Sequence, residues 1–236
     1  MILRDGTRFV ACWGFSTDPP VPSANDDWRT RWHSAIELLL SAGLRLHAQQ
    51  LMEAPLEAKL RIGGADGHLN PIVLQAESVA DVARLALQLV AAQQFAPGSL
   101  EVRGLSVVAN AAHEERALPG VVGLDCSVYE FGSGMSVWTL ADIWMPYNLM
   151  AQPQPVVAAL NAPRLRAALE AIEQIVGKPG YAEDSRFAKV DGYELRNHIV
   201  RGDVLDLQDM GYDESRIVER WPEPDPPDPP PGPEGA

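Results

Sequence analysis

Five histidines, two cysteines and 32 carboxylates give this 236-residue chain side chains that could bind metal, attack a carbonyl or move a proton. Their spacing assembles none of these chemistries. His33, His47, His68, His113 and His198 include no pair at metal-ligand spacing, and His113-Glu114-Glu115 lacks the second histidine one turn later. Cys12 and Cys126 each lie in an apolar, strand-like run and read as small buried hydrophobes, too few for a disulfide framework or a zinc site. Gly177-Lys178-Pro179 lacks the upstream glycine and following hydroxyl of a phosphate loop, and the glycine-rich turn 63–67 opens no fitting helix. Gly132-Ser133-Gly134 joins two strands, whereas a nucleophile elbow joins a strand to a helix. Arg201-Gly202-Asp203 matches an adhesion tripeptide by chance, since no secretion signal precedes it. An enzyme site would have to be built from scattered acids such as Asp125, Glu130 and Asp142, with no nucleophile or metal set beside them. The expectation is a protein without catalytic residues, metal or cofactor.

Charge is the more informative feature. The formal net charge is −13, and four acids with no bases lie in the last sixteen residues, so most of the excess belongs to the body of the chain. An acidic body disfavours nucleic acid and anionic membranes, which call for Lys/Arg patches, and suits a basic protein partner. The excess is densest where Asp203, Asp206, Asp209, Asp213, Glu214 and Glu219 are interrupted only by Arg216. Intervals of three and four predict Asp206, Asp209 and Asp213 along one face of a short helix over about 204–210, with Tyr212 as an aromatic anchor. A second candidate contact surface is the strand end where Asp142 and Trp144 precede Met145-Pro146-Tyr147-Asn148.

The elements that must position these residues follow from hydrophobic periodicity. Residues 8–15 read as a buried strand, and the proline-rich 16–23 as a loop. Asn25 or Asp26 would cap a helix through Leu40 that carries Trp28, Trp32, Ile36 and Leu39, with Gly43 at its end. Strands are expected over 44–51, 57–62, 71–76 and 100–109. Ser78 with Asp81 caps a second helix, to about Phe95, apolar nearly all round and so deeply buried. Residues 121–131 and 135–145 form a hairpin about a three-residue glycine loop, its second strand central in the sheet. Asn161 caps a third helix, with Pro163 in its first turn and Gly177 after its end. The fold class is α+β: a mixed, largely antiparallel sheet packed by three long helices, one domain over 1–220, followed by a disordered Pro-rich acidic tail over 221–236.

Acidic, motif-free and α+β, with Trp13-Gly14 at the first strand and a helix opening on Trp28 and Trp32, the chain resembles bacterial immunity proteins of polymorphic toxin systems. The resemblance spans about the first quarter of the chain plus its composition. It implies a cytoplasmic protein, not an enzyme, that neutralises a cognate toxin by covering a basic surface or active site with an acidic face. A structural or adaptor protein of a secretion or assembly system, tethered by the proline-rich tail, is the alternative. No window approaches the ~18 apolar residues of a membrane span.

The tail combines eight prolines with four acids and one large apolar residue, Trp221, too little apolar surface to offset the entropy of ordering it. Deleting residues 222–236 should leave the thermal unfolding midpoint unchanged within error; a drop of several degrees would mean that the tail docks on the body.

Overall fold

The computed structural model describes residues 1–3, 9–17, 27–63, 69–91, 97–129 and 132–221. Expectations resting on Asn25, Asp26, Phe95, Glu130, Phe131 and the tail from Pro222 lie outside the described residues.

Seven strands form one antiparallel sheet. In chain order these are β2 (Ala11–Thr17), β3 (Glu53–Gly63), β4 (Leu69–Ala76), β5 (Pro97–Ala109), β6 (Glu115–Tyr129), β7 (Gly132–Thr139) and β8 (Tyr181–Ala182). They lie side by side in the order β4-β3-β5-β6-β7-β2-β8. Every neighbouring pair is antiparallel, so the mixed component expected from the sequence is not found among the described residues. Strand β7 lies between β6 and β2, the central placement that its two apolar faces predict. The in-register sets Leu60–Leu100–Cys126–Met135–Phe15 and Ala58–Val102–Leu124–Val137–Trp13 bury one face. Period-two alternation puts Lys59, Glu101, Asp125 and Ser136 on the other.

Three helices supply the second layer, α1 (Trp28–Ala48) packing against both α2 (Val79–Ala91) and α3 (Pro155–Val176). The cap of α1 is Asp27, whose carboxylate accepts from Thr30 N–H at 2.9 Å, one or two residues after the expected cap. The helix does not stop at Gly43. That glycine is interior and buried because α2 crosses there; an added Cβ would lie 2.6 Å from Val79 Cγ1. The expected strand over 44–51 is consequently the last turn of α1, through Ala48, and the turn after it, and Leu46 continues the stripe of Trp32, Ile36 and Leu39. Ser78 caps α2 as predicted, its hydroxyl accepting from Asp81 N–H at 3.1 Å and donating to the Asp81 carboxylate at 2.8 Å. Only one side of α2 is buried (Val79, Val82, Ala83, Ala86, Val90), while Leu87 and Leu89 are partly exposed.

Helix α3 begins at Pro155, seven residues before the expected start. Asn161 is therefore no cap. Its buried amide accepts from Ala109 N–H at 3.0 Å and donates to the Ala109 and Val157 carbonyls, both at 2.8 Å, clamping the end of β5. Arg164 adds donors to the Gln49 and Val107 carbonyls, joining α3 to the end of α1 and to β5. The turn before β7 also differs. Gly132, Ser133 and Gly134 pair within the strand, opposite Tyr129, Val128 and Ser127. At its other end β7 stops at Thr139, six residues early, because residues 140–154 leave the sheet around a buried carboxylate.

That carboxylate is Asp142. It is fully buried and ion-paired with the α-amino group of Met1, which is itself buried. Its second oxygen accepts from Leu149 N–H at 2.8 Å, and its carbonyl accepts from Gln154 at 2.8 Å. The Asp142 N–H donates to the Met1 carbonyl at 3.1 Å, and β1 (Ile2–Leu3) pairs with β13 (Ile217–Glu219). One side chain thus holds Met1, the loop and the start of α3, and β13 joins this assembly only through its pairing with β1. Removing one member of a buried ion pair leaves the other charge uncompensated, at a cost of ~3–5 kcal/mol. Asp142→Asn should lower unfolding free energy by about that amount in urea titration, and a loss under ~1 kcal/mol would deny it this role.

Candidate functional site

The acidic stretch is not a helix. β11 (Ile199–Val200) and β12 (Asp203–Val204) form a hairpin, and a hydrogen-bonded turn follows. The Asp206 carboxylate accepts from Asp209 N–H at 2.9 Å, and the Asp209 carboxylate accepts from Asp206 N–H at 3.2 Å. Short acidic side chains compete with a helix by bonding nearby backbone, and here they win. Asp213 accepts from Ser215 N–H at 2.8 Å; hydrogen bonds from the Ser215 side chain and then from its N–H hold the Asp213 carboxyl below the usual range, and Glu214 pairs with Arg220. Asp203, Asp209, Asp213 and Glu214 are exposed and Asp206 half-buried, so the charge is on the surface, carried by a turn. Tyr212 does not project as an anchor. Its ring packs on Phe187, centroids 5.1 Å apart, with Arg216 over its face.

Asp142 is an interior residue and belongs to no contact surface, while Trp144 is 3% exposed and meets the surface only within a groove lining. Asp142 is consumed by the Met1 pair, and the Trp144 indole donates to Thr139 Oγ1 at 2.8 Å. Tyr147 is different: it is 36% exposed and its loop is fixed by Asn197. The Asn197 amide accepts from Tyr147 N–H at 3.0 Å and donates to its carbonyl at 2.7 Å. Between this loop, α3 and the hairpin of β9 (Lys189–Asp191) and β10 (Glu194–Arg196) lies a groove of about 770 Å³. Trp144, Tyr147, Ala158, Ala162, Leu195 and Ile199 give it apolar walls. Its cations are spoken for in part: Arg166 pairs with Glu170 and Glu194, and Arg196 with Asp191 and Glu194.

The two candidate surfaces are neighbours. Ile199 at the groove pairs with Val204, Leu205 N–H donates to the His198 carbonyl, and Leu207 N–H donates to the Leu149 carbonyl at 2.8 Å. The acidic turn is therefore hydrogen-bonded to the loop that carries Tyr147. The small helical side chains Ala158, Ala159 and Ala162 that shape the groove went unread in the sequence; their spacing along α3 was the available signal.

A second polar group sits on the helix-free face of the sheet. Ser136 on β7 is opposite Asp125 on β6 and bonds its carboxyl; the Ser136 hydroxyl lies 3.2 Å from the Tyr181 hydroxyl, itself 3.7 Å from Cys12 Sγ. Gly14 makes room for the Tyr181 ring, which lies where a Cβ would be. Burial, with the Glu101 carboxylate across the strand pair, pushes the Asp125 carboxyl up to about 6. Burial also raises the Cys12 thiol, so this cluster holds a protonated sulfur rather than a ready thiolate. Asp125 and Asp142, two of the scattered acids from which an enzyme site would have to be built, have separate partners.

Among the described residues no group of three or more His, Cys, Asp or Glu could hold a metal ion, and no helix is long and apolar enough to cross a membrane. No protein-family model, no curated protein and no solved structure matches this chain.

The raised Asp125 carboxyl has a definite consequence for stability. The folded state retains this proton up to about pH 6, whereas the unfolded chain loses it near 3.9, so stability falls as pH rises from ~4 through 6. An asparagine side chain cannot ionise, so Asp125→Asn should flatten that part of the curve. By pH 8 the variant should be more stable than the parent by on the order of 2–3 kcal/mol. Parallel urea titrations across pH 4–8 check this, and parallel curves for the two proteins would reject it.

Proposed function

We propose that this protein is an immunity-type inhibitor that binds the basic toxin domain of a cognate bacterial protein in the cytoplasm and covers its active surface. The observation that carries this reading is the juxtaposition of an exposed acidic turn with an apolar groove on one side of a chain of charge −13. Long-range attraction accelerates encounter with a basic surface, and apolar contact that excludes water slows release. Neutralisation on this reading is steric and electrostatic. The inhibitor acts on protein alone, not on nucleic acid or membrane, and needs neither cofactor nor catalytic residue.

Asp206→Asn, Asp209→Asn and Asp213→Asn together test the electrostatic half. Each asparagine keeps an oxygen able to accept the turn or cap N–H that the carboxylate accepts now, so the fold should persist. The partner to use is a basic toxin domain encoded beside this chain, whose toxicity co-expression should relieve. Association at low salt should slow roughly tenfold in the triple variant, with dissociation little changed. Unchanged association and unchanged salt dependence would place the contact elsewhere.

A further inference from the structure

The groove bears on what the partner must present. Its lining includes the Trp144 side chain, whose only polar atom is already committed to Thr139, so the indole offers the groove no hydrogen bond. Along one wall Ala158, Ala159 and Ala162 form a shallow channel where longer side chains would have made a ridge. On the opposite side Tyr147 has both backbone polar groups bonded to Asn197, and Leu195 and Ile199 complete an apolar lining. The apolar surface continues beyond the mouth: Ile199 is 57% and Val200 50% exposed. Contiguous apolar surface of this kind, rimmed by charge, marks a protein-docking site.

Charge decides what kind of segment fits. Among the described residues three cations line the groove, Arg166, Lys189 and Arg196, and three carboxylates, Glu170, Asp191 and Glu194, stand in or beside it and hold the two arginines, so the charges balance and give an anionic occupant no net attraction. Ile199 of the lining, by contrast, belongs to the hairpin in which Asp203 pairs with Val200, and after Arg201 in its connection no basic residue lies between Asp203 and Glu214. We infer that the groove is the anchor site for a basic amphipathic segment of the protein partner. The apolar side chains of that segment enter between α3 and the β9–β10 hairpin, and its Lys or Arg residues face the acidic turn. This deepens the inhibitor reading and rests on it: the acidic turn governs encounter, and the groove governs residence. Amphipathic segments laid into apolar grooves are a recurring recognition mode, with apolar side chains at helical spacing as anchors.

Three 14-residue peptides serve as probes: Leu on one face with Lys on the other, the same Leu pattern with Glu, and the Lys pattern with Ser replacing Leu. Backbone amide shifts of the full chain locate binding. The Leu/Lys peptide should shift Tyr147, Ala159 and Ile199, and bind at least tenfold more tightly than either control. Ala159→Trp fills the groove from an exposed position on α3, and Ile199→Asn makes the opposite wall polar at an exposed position. Each should weaken the Leu/Lys peptide at least tenfold without moving the unfolding midpoint, the second variant guarding against a folding defect in the first. Equal binding by the Lys/Ser peptide, or by both groove variants, would show charge attraction alone and overturn the inference; equal binding by the Leu/Glu peptide would overturn its basic component. The toxin domain separates the two levels. If the triple asparagine variant slows its association while Ala159→Trp and Ile199→Asn leave its dissociation unchanged, the inhibitor reading stands and the groove inference fails.

Discussion

The rest of the architecture hangs on one buried carboxylate. Asp142 neutralises the Met1 amine in the interior, where either charge alone would be expensive, and its remaining bonds reach Leu149 and Gln154. A strand carried on to Met145 would have extended the sheet. By accepting from Leu149 N–H and holding Gln154 at the head of α3, Asp142 instead bends residues 140–154 out of the sheet and sets where α3 starts. The loop so made carries Tyr147, and Leu207 of the acidic turn bonds its Leu149 carbonyl. A buried charge pair is weak evidence of extra stability, because a well-packed apolar pair can do as well. Its role here is geometric: it joins Met1 to the 140–154 loop and to the start of α3.

The groove and the acidic turn are downstream of that point. Asn197 ties the Tyr147 loop to the segment after β10, and the β11–β12 hairpin then returns alongside, so three irregular segments share a single orientation. Placing recognition on loops held by a rigid scaffold is a common solution, since loops tolerate change while the scaffold keeps their geometry. The scaffold here is the seven-stranded sheet backed by α1, α2 and α3. Its far face has a different character. Arg103 lies 4.8 Å over the Trp138 ring and Phe9 stacks on that ring at 5.1 Å, while Asp125, Ser136 and Tyr181 make a polar row nearby. The Asp125 carboxyl in this row is held against its preference for ionisation, a local strain in an otherwise well-satisfied sheet.

Local signals were legible wherever one interaction sufficed. Ser78 and Asp81 marked a helix start because a capping pair needs only four residues. The alternation of β5 and the two apolar faces of β7 announced a sheet with β7 inside it. Gly177, with a φ of 85°, ended α3 where the apolar stripe stopped. Misreadings arose where a distant contact overrode the local preference. Gly43 has the residue type of a helix end but exists to let α2 approach, and Asn161 has that of a cap but bonds a strand 52 residues away. Asp206 and Asp209 had helical spacing, yet their carboxylates close a turn above the buried Leu207.

The sequence by itself determined the α+β class, the sheet-and-helix alternation and the acidic surface, because composition, periodicity and capping act over a few residues. The candidate site was legible only as separate parts: an acidic run, and an aromatic loop around Tyr147. Only the tertiary structure decided that Trp144 is a buried residue that lines a groove, that Asp142 is a buried tether, and that the turn and the groove adjoin. Those facts depend on contacts between residues as far apart as Met1 and Asp142, whose partners no local pattern encodes.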